Sequence, residues 1–467
     1  MIGYISTRGG ERNSSFADIL LTGTAKDGGL YIPEAFPRIS ADMLREMHGM
    51  SYATIAKKIL TPFIGDTVEE SVFDQILEDT YSTEFHHTAV APLTQIGPNA
   101  WIMELFHGPT LSFKDYALQL LGRLFDTVLE QRNERLTIIG ATSGDTGSAA
   151  IEACKGCKNI DIFILHPHER TSPIQRKQMT TVDAPNVFNI ALEGHFDDCQ
   201  SLVKTLFGDE KLNQEKRLAA INSINWARIM SQTVYYVAAA VALGAPDRPV
   251  SFSVPTGNFG NIYAAWVART MGLPAHKFII GSNRNDILTR FFETGAMSVE
   301  GVEPSLSPSM DIQVSSNFER FMCDTSGRAH QKIAQWMAEF KDTGSFPVDE
   351  AVMANMTRHM SAFRCSDDTT LEVMRDCYKA TGQVIDPHTA VGLHAAMHAM
   401  ANDPEVPMVS LACAHPAKFP DAVRRAIGRD PEMPERLAAV MDQEEHFDIL
   451  PNDLDRVRAY VLEKTAA

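Results

Sequence analysis

The chain has no apolar run approaching the roughly 20 residues a helix needs to cross a bilayer, so a helical membrane protein is excluded. It has no excess of basic residues either: 42 Lys and Arg stand against 59 Asp and Glu, a formal net charge of −17. Nucleic-acid binders concentrate Lys and Arg on one face, so neither nucleic acid nor a membrane is an expected partner, and an anionic substrate would need a local basic site. The seven cysteines are odd in number and scattered, which fits reduced thiols and not a disulfide framework. Cys154 and Cys157 form one CxxC, but no second Cys or His pair stands at zinc-site spacing. His86 and His87, and His166 and His168, likewise lack a partnering ligand cluster, so they read as loop or core residues and no metal is expected. The opening IGYISTRGGERNSS lacks the basic start and apolar stretch of a secretory signal, and a cytoplasmic location is the expectation. Repeats, low-complexity tracts and long linkers are missing too, so one compact body is expected.

What is present is a chain of 467 residues, 44% hydrophobic, long enough for two or three packed subdomains. From about residue 40 to 85, MLREMHGMSYATIAKKIL and VEESVFDQILEDTY carry apolar residues at helical spacing. From about residue 96 the texture changes to short apolar strands, Gly, Ser or Pro turns, and then helical patterns. RLTIIGATSGDTGSAAIEAC, NIDIFILHPHERTSPIQRKQM, VSFSVPTGNFGNIYAAWVARTMG and PMVSLACAHPAKFPDAVRRAIG are four examples. The alternation predicts an α/β fold with parallel sheet covered by helices. Small or polar residues stand where each strand ends and its helix begins, the place where open α/β sheets bind ligands, so one shared cleft is predicted. Residues after about 425 read as charged helices packing on the larger domain.

Three segments carry chemistry. Thr256-Gly257-Asn258-Phe259-Gly260-Asn261 lies between the strand SFSVP and the helix IYAAWVARTM, where free N–H groups and the helix dipole favour a phosphate. It lacks the GK[ST] ending of a nucleotide-binding loop and is not GxGxxG, which disfavours a nucleoside triphosphate or dinucleotide; a plain tight turn is the other reading. Ala141-Thr142-Ser143-Gly144-Asp145-Thr146-Gly147 follows LTIIG and could grip a carboxylate, or could be a helix start capped by Ser143 or Asp145. Lys114 in HGPTLSFKDY stands where a turn enters a helix; beside aromatic and small residues a lysine can act as a free amine, although most lysines are solvated.

These segments, in this order and spacing, resemble the threonine synthases, a family of pyridoxal-phosphate enzymes of fold type II, the tryptophan synthase β-like architecture. STRGG (6–10), DGGLYIPE (27–34), ELFHGPTLSFKDYALQ (104–119), EGHFDDCQ, NSINWARI and CAHPAKFP extend the likeness over roughly residues 1 to 425. The resemblance implies two parallel-sheet domains with an N-terminal helical segment: a largely helical 1–95, a smaller α/β domain 96–240 with the cofactor lysine and substrate loop, and a larger α/β domain 241–467 with the cofactor-phosphate loop.

It further implies that Lys114 holds pyridoxal 5'-phosphate as a Schiff base and moves protons on substrate carbons. Gly257, Asn258, Phe259, Gly260 and Asn261 would cradle the cofactor phosphate. Thr142, Ser143, Gly144 and Thr146 would bind the substrate carboxylate, with Asp145 beside the cofactor's phenolic oxygen, where many superfamily relatives have Asn. Asn222, Ser223, Asn225 and Arg228 in NSINWAR would receive the phosphate of O-phosphohomoserine, a task that suits the paired donors of an arginine. Cys413 stands where the family usually has Thr serving the pyridine nitrogen, and a thiol is the weaker donor. The implied reaction converts O-phosphohomoserine and water to threonine and phosphate, in a monomer or weak dimer.

Overall fold

A computed structural model describes residues 2–142 and 144–465. Strand segments rich in Val, Ile and Phe pair into two main sheets. The larger runs in the order Met360–Arg364, Ala275–Ser282, Val250–Pro255, Met408–Ala412, Ala100–Glu104, Leu93–Gln95. Its neighbours are parallel except for the last, antiparallel pair. The smaller runs Asp448–Pro451, Val187–Glu193, Ile160–Pro167, Leu136–Ala141, Leu218–Ala219, all parallel. Every residue of Ile160–Pro167 and of Val250–Pro255 is buried, as expected where helices cover both faces of a parallel sheet.

The sheets do not follow linear boundaries at residues 96 and 241. Leu93–Gln95 and Ala100–Glu104 belong to the larger sheet, and Asp448–Pro451 returns from the C-terminus to the edge of the smaller one. The segment after 425 therefore serves the smaller sheet and not the larger. The physical reason is apolar: Val457 and Val461 of the helix Leu454–Lys464 are fully buried in one cluster with Ile139, Phe163 and Leu165. The helix Glu435–Met441 packs on Pro173–Thr180.

The N-terminal segment is helical over Ala41–Glu46, Tyr52–Ile64 and Glu70–Glu78. Its anchor is Trp226, fully buried at the start of the helix Trp226–Ala242, with ring centroids 6.1 Å from Tyr4, 6.4 Å from Phe36 and 5.7 Å from Phe63. Such aromatic pairs each add about 0.5–1.5 kcal/mol beyond the area they bury. Helix Trp226–Ala242 is almost wholly buried because it lies against Tyr52–Ile64, Lys114–Arg132 and Gly260–Met271 at once. STRGG and DGGLYIPE fold onto each other: Ser6 Oγ donates to Asp27, whose carboxylate also accepts from the N–H groups of Gly10 (2.7 Å) and Gly29 (2.9 Å). Arg8 then forms a two-bond pair with Glu319, at 3.0 and 2.9 Å. No helix among the described residues is long and apolar enough to cross a membrane.

Candidate active site

Val250–Pro255, Met408–Ala412 and Ala100–Glu104 are neighbours in the larger sheet, so the segments leaving their carboxyl ends emerge side by side. The loop after Leu136–Ala141 of the smaller sheet meets them across a cavity of about 410 Å³. Phe113 N–H donates to the Cys413 carbonyl at 2.8 Å and Leu105 N–H to Ala412 at 2.9 Å, which fastens the lysine turn to the Cys413 turn.

Lys114 is the first residue of the helix Lys114–Arg132. Asp115, fully buried beside it, accepts from Thr110 N–H at 2.8 Å and from Thr110 Oγ1 at 2.7 Å, folding the turn onto the helix start. Gly108 has to lack a side chain, since a Cβ there would stand 2.5 Å from the Asp115 Cβ. Burial raises the Asp115 carboxyl to about 6, against the opposing Thr110 hydrogen bonds. Lys114 Nζ lies 3.6 Å from Asp145 Oδ2 and 5.0 Å from the Phe113 ring centre. Burial lowers this ammonium below its ordinary range; Asp145 opposes the shift, while Lys418 and Arg228 add to it.

Asp145 begins the helix Asp145–Cys154. Its Oδ1 accepts from Lys418 Nζ at 2.7 Å and Gln175 Nε2 at 2.9 Å. Burial by itself would raise this carboxyl, but the Lys418 and Lys114 ammoniums outweigh it and hold Asp145 far below the usual carboxylate range. Asp145 does not cap the helix start, since its carboxylate is turned to Lys418, Gln175 and Lys114. Thr142 Oγ1 accepts from the N–H groups of Gly144 and Gly147, both at 3.0 Å, so this hydroxyl braces the loop and is not free to grip a ligand. Ser143 lies outside the described residues. Thr146 lines the cavity, and Gly144 is not among its lining residues.

The loop Thr256–Phe259 enters the helix Gly260–Met271 with Phe259 in the left-handed region, φ 62°. Among the described residues, the N–H groups of Asn258, Phe259 and Gly260 meet no protein acceptor and border the cavity. Asn261 departs from its expected place in the phosphate cradle. Its Oδ1 accepts from Tyr235 at 2.5 Å and Tyr236 at 2.7 Å, which fixes the amide so that Nδ2 donates to Cys413 Sγ at 3.7 Å. The side chain is thus turned to Tyr235, Tyr236 and Cys413, while Asn261 still borders the cavity. Burial pushes the Cys413 thiol up, so it is a neutral group.

Arg228, on the helix Trp226–Ala242, is 4% exposed, and its Nε and Nη1 have no hydrogen-bond partner among the described residues. Burial lowers it to about 10, still protonated at neutral pH. Asn222 and Ser223 border the same cavity, with Asn222 Oδ1 also accepting from Ile224 N–H at 3.2 Å. Asn225 does not reach the cavity. Its Oδ1 caps the helix by accepting from Ala227 N–H at 2.9 Å, and its Nδ2 donates to the Leu20 carbonyl at 2.8 Å. An Asn three residues before an Arg at a helix start serves the backbone first, because the first N–H groups of a helix need an acceptor.

The donor set fits pyridoxal phosphate. A buried amine depressed by its surroundings, a helix start with free N–H groups, and a neutral thiol opposite them match an aldehyde, a phosphate and an uncharged ring nitrogen. Among the described residues Arg228 Nε and Nη1 have no partner, and a buried cation without a counter-charge is costly.

Sequence reasoning missed four contributors. Lys418 sits within the recognised CAHPAKFP segment, and Gln175 within HPHERTSPIQRKQM. Asn317 Nδ2 donates to both the Ser223 carbonyl (3.1 Å) and the Asn258 carbonyl (2.9 Å), joining the two anion loops. Arg320, fully buried, donates to Asn317 Oδ1 at 2.5 Å, to the Ile224 carbonyl at 2.7 Å and to the Tyr31 carbonyl at 3.0 Å. An N followed by xxR in NFERF carries no local signal of such a clamp.

Residues 3–81 match the family description "Threonine synthase N terminus", 85–413 "Pyridoxal-phosphate dependent enzyme", and 389–461 "Threonine synthase, C-terminal". The chain is 50% identical over 459 residues to a threonine synthase of Pseudomonas aeruginosa, covering 98% of this chain and 97% of that one. It superposes on a pyridoxal-phosphate-bound threonine synthase from Brucella melitensis with a TM-score of 0.98 and 47% identity, covering 100% of both chains. For the yeast threonine synthase the TM-score is 0.94 at 36% identity, covering 99% of this chain and 98% of that one. The chain belongs to the threonine synthase family of fold-type-II pyridoxal-phosphate-dependent enzymes.

Proposed function

We propose that the chain converts O-phospho-L-homoserine and water to L-threonine and phosphate, the last step of threonine biosynthesis, with Lys114 as the group that carries cofactor and protons. The observation that carries this reading is the presence of two separate anion-binding features in one cavity, the free N–H groups at Asn258–Gly260 and the unpartnered Arg228 guanidinium. A cofactor phosphate occupies the first, and the substrate's own phosphate the second. Related enzymes acting on serine or threonine would have no use for the second.

The bound cofactor supplies an electron sink that acidifies the substrate's α and β positions. Lys114, a buried amine of lowered basicity, takes the α-proton and then a β-proton. Arg228, with Asn222 and Ser223 beside it, holds the phosphate on the γ-carbon and stabilises the charge that grows as the C–O bond breaks. Lys114 then returns a proton to the γ-carbon, water adds at the β-carbon with its surplus proton passing to the released phosphate, and Lys114 returns the second proton to the α-carbon. The free N–H groups of Asn258 to Gly260 hold the cofactor phosphate still throughout.

The test is a joint assay of phosphate, threonine and 2-oxobutyrate after adding O-phosphohomoserine, with Lys114→Ala as control. Equal threonine and phosphate, with an absorbance band near roughly 410 nm that disappears in Lys114→Ala, is the expected result. Phosphate with 2-oxobutyrate and no threonine would replace the reading with a phospholyase. A colourless, inert wild type would overturn it.

A further inference from the structure

Lys418 has no place in the reaction as derived above, yet it is buried completely, with a side chain exposed to 0%. A lysine is among the residues least often found in that position unless a partner holds it. Its Nζ is 2.7 Å from Asp145 Oδ1 and 2.8 Å from the Thr110 carbonyl, and Gln175 Nε2 reaches the same Oδ1 at 2.9 Å. Asp145 therefore has one oxygen saturated by two donors and the other, Oδ2, turned toward Lys114 at 3.6 Å.

Charge decides what this means. A buried carboxylate requires a counter-ion, and two amines stand within reach of this one. Were Lys418 absent, Lys114 would be the nearest cation for Asp145 and would be held protonated, unable to attack a carbonyl or accept a proton. We propose that Lys418 is a positioning residue that serves as the permanent counter-ion of Asp145, and so releases Lys114 to act as a free amine. The groups that face Lys114 are Asp145 at the start of its helix, Lys418 from the turn Pro416–Lys418, Arg228 from the helix Trp226–Ala242, and Cys413. Among these Asp145 opposes the release most, with Cys413 adding a smaller effect in the same direction, and the shorter contact of Asp145 is to Lys418. The lowered basicity of Lys114 accords with this arrangement.

The inference rests on Lys114 being the cofactor lysine, and the experiment separates the two. Full-length wild type, Lys418→Met, Lys418→Arg, Asp145→Asn and the double variant Lys418→Met/Asp145→Asn are stripped of cofactor. The rate at which added pyridoxal phosphate forms its chromophore is then followed across pH, and the pH profile of kcat/KM is recorded after reloading. Free pyridoxal phosphate titrates identically in all samples, so differences report the amine.

Losing Lys418 raises the Lys114 pKa, so the rate limb of Lys418→Met moves to higher pH by about one unit or more, roughly a tenfold loss at any pH on the limb. Lys418→Arg stays near wild type, Asp145→Asn moves the limb to lower pH, and the double variant returns toward wild type. A Lys418→Met curve superimposed on wild type, or a double variant as slow as Lys418→Met, overturns the proposal. Should Lys418→Met fail to fold, Asp145→Asn decides: a limb that stays in place or moves upward overturns it. A chromophore that persists in Lys114→Ala would instead overturn the assignment of Lys114 itself, leaving Lys418 without the role.

Discussion

Two regions of one cavity offer unmatched hydrogen-bond donors, and they do it in opposite ways. At Asn258–Gly260 the donors are backbone N–H groups at a helix start, with no side-chain cation on the loop. At Arg228 the donor is a buried, formally charged side chain whose Nε and Nη1 meet no partner among the described residues. Amide donors are fixed by the fold and gain nothing from movement, which suits an anion that stays. A buried guanidinium without a counter-charge is held at a cost, and that cost is relieved whenever an anion arrives. Under the proposed function, the first would hold a resident phosphate and the second a phosphate that enters and leaves.

The comparison breaks most sharply at Arg228. Arg228→Met should lower kcat/KM for O-phosphohomoserine by about a thousandfold, within the 2–5 kcal/mol expected for truncating a buried charged contact. Cofactor affinity should stay within about twofold, and the denaturation midpoint should hold or rise, because an apolar side chain removes an uncompensated buried charge. Steady-state kinetics, cofactor titration and urea melts check the three parts. A variant that loses cofactor instead of substrate would mean that the two regions have exchanged tasks.

Asn317→Ala tests a side chain that hydrogen-bonds to both regions. Loss of its hydrogen bonds to the Ser223 and Asn258 carbonyls should weaken cofactor and substrate together by about tenfold each, and destabilise the fold by about 1–3 kcal/mol. Effects confined to one ligand would show that the loops act independently. The smallest change is expected for Cys413→Thr, which leaves both anion regions untouched and replaces a thiol with a better donor. Its kcat should shift by no more than roughly fivefold, the worth of about one neutral hydrogen bond, with KM for the substrate unchanged. A large KM effect would place Cys413 nearer the substrate than its contact with Asn261 suggests.

The contrast also separates what could be read locally from what could not. The glycine-bearing junctions were legible because a strand, a tight turn and a helix start leave their signature within a few consecutive residues. Lys114 was not legible from spacing, since any lysine after a turn looks the same, and only the extended likeness to a family singled it out. Asn225 misled for a related reason. It belongs to a segment whose other members border the cavity, but capping a helix and holding a ligand use the same side-chain chemistry, and sequence does not distinguish them. Asn261 misled in the same way, since it borders the cavity while its amide is locked by Tyr235 and Tyr236.

The sequence by itself determined the alternation of strands and helices, the two small-residue turns, the apolar anchoring of the N-terminal helices and the absence of a long apolar span. Each depends on periodicity or on backbone conformation over a short stretch. Only the tertiary structure decided that residues 93–104 complete the larger sheet while 448–451 complete the smaller, that Lys418 neutralises Asp145, and that Asn317 and Arg320 tie both anion loops to the N-terminal strand. Those outcomes depend on which buried charges and uncovered apolar faces come together in space, and partners far apart in the chain carry no mark of one another in the local pattern.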